Sequence, residues 1–200
     1  MAITIIDYGT GNLKSLQNAL TFLGKKSTLC SSSQILKKAE KIILPGVGAF
    51  GFAMRNLQQK GFERVLQEKV KSGFPILGIC LGMQLLFSVS EEDKKCKGLN
   101  FISGKVKKLH GNFKVPHTGW NNIVAVKESI LLKKLPPKAF AYFVHSYICV
   151  PDDANLVVGV TEYGQQFCST IESNNIFGTQ FHPEKSQEVG LQILRNFAEF

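Results

Sequence analysis

A cysteine stands between two glycines in Gly78-Ile79-Cys80-Leu81-Gly82-Met83-Gln84, with an apolar run before it and a helix-compatible run after it. This is the pattern of a strand–nucleophile–helix elbow, with cysteine in the place that serine holds in many hydrolases. Glycines two before and two after the nucleophile let the chain turn sharply without side-chain clashes. The turn exposes the Cys80 side chain at the carboxyl end of a sheet and puts it at a helix N-terminus, where the dipole favours the thiolate. The Leu81 N–H is then free to bind an oxyanion. A bare Gly-x-Cys-x-Gly also fits a buried structural cysteine beside a tight turn, so the elbow needs a second signal.

Gln180-Phe181-His182-Pro183-Glu184-Lys185-Ser186 supplies it. A residue before proline is biased toward extended geometry, and side chains at i and i+2 of an extended segment share a side. The His182 imidazole can take the Cys80 proton while the Glu184 carboxylate fixes its tautomer, the nucleophile–base–orienter arrangement of covalent catalysis. Alone, the stretch reads as a polar loop; beside the elbow, the chemical reading is the stronger. Other candidates carry less. Gly9-Thr10-Gly11 lacks the third glycine of a dinucleotide fingerprint, because Lys14 stands there. His110 and His145 read as structural or partner-facing. Cys30, Cys96, Cys149 and Cys168 have no neighbouring base motif and are expected to be inert.

The elements that must position these residues alternate in the first half. Strands are expected over residues 3–8, 41–44 and 74–79, and helices over 12–23, 51–71 with a break at Gly61, and 81–89. That order predicts an α/β fold with an open, mostly parallel central sheet flanked by helices. The second half is richer in strands, at 105–109, 121–126, 141–150, 156–162, 167–172 and 176–181, which predicts added antiparallel strands. A last helix is expected over 187–197. No repeat or linker interrupts the pattern, so residues 1–200 are expected to form one domain.

Bulk composition excludes several classes. The chain is 44% hydrophobic, ordinary for a folded soluble protein, and has no 18-residue apolar run, so no membrane partner is expected. Residues 1–7 run directly into a strand pattern, which predicts no signal peptide. Five cysteines at irregular spacing argue for the reduced cytoplasm rather than a disulfide framework. No Cys-x-x-Cys or His-x-x-x-His pair supports a metal site, and no cofactor is expected. The net charge of +9 is dispersed in Lys pairs such as Lys25-Lys26 and Lys107-Lys108. With no dense run and no interleaved aromatics, it reads as a solvated surface, ahead of an acidic partner or nucleic acid.

The elbow and His182-Pro183-Glu184 together resemble the class I (triad) glutamine amidotransferases. Four further stretches narrow the resemblance to the glutaminases paired with a (β/α)8-barrel cyclase in histidine biosynthesis. They are Asp7-Tyr8-Gly9-Thr10-Gly11-Asn12, Pro45-Gly46-Val47-Gly48-Ala49-Phe50, Pro116-His117-Thr118-Gly119-Trp120-Asn121 and Tyr142-Phe143-Val144-His145-Ser146-Tyr147. Thr118 and Phe52 depart from the usual residues, away from the chemistry. The resemblance implies Cys80, His182 and Glu184 as the triad and Leu81 as an oxyanion donor. It implies Gly46, Val47 and Gly48 as a loop whose peptide reorients to complete the oxyanion hole. It also implies Gln84, Ser146 and Tyr147 as holders of the glutamine substrate, and Asn12, Tyr142 and Lys185 as the interface with the barrel subunit of a heterodimer. His117 belongs to a family marker with no chemical role derivable from its type. The same glutaminase serving a surface-sugar synthase is the alternative. A silent scaffold or nucleic-acid binder is the alternative of another class, opposed by the intact cysteine, histidine and glutamate.

Overall fold

The computed structural model describes residues 2–200. In chain order the first half contains β1 (Ile3–Ile6), α1 (Leu13–Phe22), β2 (Ser27–Cys30), α2 (Ser33–Leu36), β3 (Lys41–Leu44), α3 (Phe50–Gln59), α4 (Phe62–Lys71), β4 (Ile76–Ile79), α5 (Leu81–Leu85) and β5 (Phe87–Ser90). The second contains β6 (Ile102–Lys108), β7 (His117–Ala125), β8 (Ala139–His145), β9 (Tyr147–Pro151), β10 (Val157–Glu162), β11 (Gln166–Ser173), β12 (Ile176–Thr179) and α6 (Gln187–Glu199).

Five strands, β2-β1-β3-β4-β12, form a parallel unit. From β12 the sheet continues antiparallel through β11 and β10 to the β7–β8 hairpin. β9 pairs with β11 and β6, and β5 lies parallel to β6. The α/β fold and the antiparallel additions thus match the reading of the sequence. Strands β1, β3, β4 and β12 are buried along their whole length because helices cover both faces. Ile42 and Leu44 face a core with Met54, Leu57 and Leu66, while Ile43 faces a core with Leu16, Leu20, Ile193 and Phe197. Alternate side chains of a strand point to opposite faces, so a continuous apolar run is what such a strand requires.

Several expected elements have different bounds. The helix after the elbow ends at Leu85 rather than residue 89, because Phe87–Ser90 leaves it to pair with β6. The long helix does break at Gly61, which adopts the left-handed conformation (φ 68°, ψ 21°) that glycine tolerates. The strand expected over 141–150 is two: the chain leaves β8 at His145, bends at Ser146 and joins β6 and β11 as β9. Strand β12 stops at Thr179, and the next residues turn toward the elbow. β2 and α2 were not expected; β2 is an edge strand with the short, half-polar sequence Ser-Thr-Leu-Cys.

Candidate active site

The Cys80 elbow is built by close backbone approach. A Cβ on Gly78 would stand 2.7 Å from the Gly82 carbonyl oxygen, and one on Gly82 would overlap the Leu44 carbonyl oxygen. Only glycine fits at either position. The strained residue is Cys80 itself, at φ 54° and ψ −111°. A non-glycine residue held in this region costs on the order of 1–3 kcal/mol and persists only when its surroundings over-determine it. Here the Cys80 N–H is tied to the Thr179 carbonyl at 2.7 Å. Helix α5 has five residues, so its dipole is weaker than a helix through residue 89 would supply.

The Cys80 thiol opens onto a cavity of about 430 Å³. Val47, Gly48, Leu81, Gln84, Ser146, Tyr147 and His182 line it too. The bend that splits the expected long strand is what turns Ser146 and Tyr147 toward this space. Gly46 lies just outside, packed against Tyr8, Leu81 and Gly82. The Leu81 N–H is one of the first amides of α5, which no intrahelical carbonyl can reach.

His182 lies on the same wall and is 2% exposed. Its Nδ1 is 2.8 Å from Glu184 Oε1. The two do not meet across an extended pleat as expected. His182 is extended before proline (φ −99°, ψ 97°), but Pro183–Lys185 forms a 3-10 turn that folds Glu184 back onto the ring. The Ser186 hydroxyl donates to the His182 carbonyl at 2.6 Å and so holds the turn shut. Burial opposes charge on His182, but the Cys80 sulfur and the Glu184 carboxylate outweigh it, raising the imidazole to about 10. His182 is therefore protonated at neutral pH. Nε2 is buried and makes no hydrogen bond within the described residues.

Glu92 also lines the cavity, which the sequence reading did not anticipate. Its carboxylate accepts from the Phe50 N–H at 2.7 Å, at the start of α3, and sits near enough to Tyr147 to raise its phenol, after the larger effect of burial. Asn12, Tyr142 and Lys185 are not in the cavity. Asn12 precedes α1 and is exposed; Lys185 Nζ sits 5.7 Å from the Tyr142 ring centroid, on the outer side of the turn that carries His182 and Glu184.

His145 and His117 form a buried pair behind Tyr147. Burial is the main reason that both are depressed, His117 to about 4 and His145 to about 3, so both rings are neutral at pH 7. A histidine kept neutral by the fold contributes stability that is complete above its unfolded value of 6.5 and is lost as pH falls toward about 4 and about 3. His182 has the opposite sign: its contribution is complete below 6.5 and is lost as pH rises through about 10. Between pH 7 and 4.5 the urea midpoint should therefore fall more steeply in the parent chain than in a His117→Gln, His145→Gln double variant. Equal slopes would show that the pair is not held neutral.

This arrangement, an elbow cysteine with a histidine–carboxylate pair on a mostly parallel sheet, points to a class, and comparison with known proteins gives it. Residues 4–199 match the family model of class-I glutamine amidotransferases, and the chain belongs to that family. It is 46% identical over 200 residues to the imidazole glycerol phosphate synthase subunit HisH of Chlorobaculum tepidum, covering 99% of this chain and all of that one. It is 49% identical over 197 residues to the HisH subunit of Moorella thermoacetica, covering 98% and 94% of the two. Among solved structures, a glutamine amidotransferase superposes with a TM-score of 0.79 at 16% identity, over 98% of this chain and 97% of the other. The PurLQS structure from Thermotoga maritima gives 0.78 at 19% identity, over 99% and 97%. At that identity the structures speak for the fold alone. Among the described residues no helix is long and apolar enough to cross a membrane.

Proposed function

We propose that the chain, acting as one cytoplasmic domain over residues 1–200, is the glutaminase subunit of an imidazole glycerol phosphate synthase. It hydrolyses glutamine to glutamate and ammonia and passes the ammonia to a (β/α)8-barrel cyclase subunit in histidine biosynthesis. The observation that supports the reading is that Cys80 and His182, from segments about 100 residues apart, line one cavity, with Glu184 bound to the far nitrogen of His182. Relatives that match nearly end to end and are named as HisH subunits support the histidine branch over a surface-sugar synthase.

Glutamine lies with its side-chain amide over Cys80 and its amino-acid end toward Gln84, Ser146 and Tyr147. The Glu92 carboxylate is placed to pair with the α-ammonium. The Cys80 sulfur attacks the amide carbon, forming a C–S bond. The Leu81 N–H and an N–H of the 45–48 loop stabilise the oxyanion. His182 gives its proton to the departing nitrogen as the C–N bond breaks, releasing ammonia. Water, losing a proton to His182, then cleaves the thioester to glutamate and restores the thiolate–imidazolium pair.

An electrophilic glutamine analogue tests the assignment. The label should map to Cys80 and to none of the other cysteines. Burial raises all four of those thiols, Cys149 well above its ordinary range and Cys168 to about 12, and a thiol rather than a thiolate reacts slowly. Mass mapping that found the label on Cys30 or Cys96 would sink the reading.

A further inference from the structure

Gln180 is fully buried two residues before His182. Its amide Nε2 is 3.9 Å from Cys80 Sγ, and its Oε1 accepts from Gln84 Nε2 at 3.4 Å. Which end of an amide faces which neighbour must follow from the surrounding hydrogen bonds, and here those bonds decide it. Gln84 Nε2 also lies 3.2 Å from the Tyr147 carbonyl oxygen, which can only accept. Gln84 must therefore present nitrogen there, which leaves oxygen as the only end of Gln180 that can meet it. The Gln180 nitrogen is thus turned onto the sulfur.

The Tyr147 carbonyl is itself held. His145 Nδ1 lies 2.9 Å from it and must donate. His145 Nε2 then accepts from His117 Nδ1 at 3.0 Å, and His117 Nε2 accepts from Asn121 Nδ2 at 3.3 Å. Both imidazoles being neutral, each ring has one donor and one acceptor, as the chain of bonds requires. The donor-to-acceptor direction of these bonds runs from Asn121 on β7 to the carbonyl that orients Gln84.

We infer that Gln180 is a further catalytic residue, whose side-chain amide N–H donates to the Cys80 sulfur and favours its anionic form. The inference rests on the reading of Cys80 as the nucleophile. The other polar neighbour of Sγ besides His182 is the Val144 carbonyl oxygen at 3.7 Å. That acceptor suits an S–H and repels a thiolate. Gln180 supplies the opposite preference, and as a neutral donor it keeps it throughout the cycle. His182 surrenders its proton to ammonia, whereas the amide still faces the sulfur during hydrolysis of the thioester. When that C–S bond breaks, the electron pair returns to Sγ and the amide N–H receives it.

Gln180→Leu and Gln180→Met remove the donor with little change of volume, and Gln180→Glu replaces it with a carboxylate. The rate of Cys80 alkylation by iodoacetamide, followed against pH on the full chain, reads the thiolate directly. Its midpoint should rise by about one to two pH units in the Leu and Met variants and further in the Glu variant. In the complex with the barrel subunit, kcat for glutamine should fall about tenfold to a hundredfold with KM little changed. Circular dichroism and urea midpoints select the folded variants. An unmoved alkylation midpoint in either folded apolar variant overturns the assignment of Gln180. Alkylation that leaves glutamine hydrolysis intact instead overturns Cys80 as the nucleophile, so the two failures are distinct.

Discussion

His182→Ala should lower kcat for glutamine hydrolysis by about 10⁴-fold, the upper end of what general acid–base catalysis contributes, while Glu184→Ala should lower it by about 10²-fold. The order follows from the geometry. His182 holds the proton that the leaving nitrogen needs. Glu184 never faces the substrate. It binds Nδ1 at 2.8 Å from behind, so its loss frees the ring and lowers the basicity of the imidazole but leaves the proton carrier in place. The carboxylate is also one of the two groups that raise His182. Glu184→Ala should therefore shift the alkaline limb of the kcat profile to lower pH, which a purely structural loss would not do. The measurement is steady-state hydrolysis across pH in the complete synthase, with urea midpoints as folding controls. Equal and negligible effects of the two substitutions would show that the triad is misassigned.

Much of this site was legible in the sequence because its two halves are local motifs. The elbow is spelled by glycines whose Cβ atoms would strike backbone, and the His-Pro-Glu turn places the imidazole and the carboxylate within three residues. The parallel core was legible for a similar reason: strands buried on both faces need continuous apolar runs, and Lys41–Leu44 was bounded to the residue. What stayed hidden depends on contacts between distant segments. Glu92 is oriented by Phe50, 42 residues away, and Gln180 meets Cys80 across 100 residues. A glutamine in a motif does not show which way its amide points until Gln84 and Tyr147 are placed beside it. Edge strand β2 lacked an apolar run because one side of it is uncovered, and α5 was overextended because Phe87 and Val89 fit a helix or a strand equally well in isolation.

Docking of a liganded barrel subunit should raise glutaminase activity by about 10²–10³-fold, the value of one oxyanion-hole donor. The 45–48 loop supplies the means. Its first residue is pinned, because the Tyr8 hydroxyl, kept protonated by burial, donates to the Pro45 carbonyl at 2.8 Å. Its far end is pinned where Glu92 accepts from Phe50. Between these anchors the N–H groups of Gly46, Val47 and Gly48 make no hydrogen bond within the described residues, and Gly48 sits at φ 97°. A peptide there can rotate without breaking a bond, and glycine makes both orientations accessible. A partner that favours the orientation facing the oxyanion shifts the population by its differential contacts with the two states. Tyr142 and the exposed Lys185 meet beside the His182–Glu184 turn, so a subunit seated there would lie close to the chemistry. Lys185→Ala should therefore reduce activation by the barrel subunit more than it raises KM for glutamine, and the isolated chain should hydrolyse glutamine very slowly with or without that substitution. Full activity of the isolated chain, unchanged by any barrel subunit, would defeat the coupling mechanism while leaving the Cys80 chemistry standing.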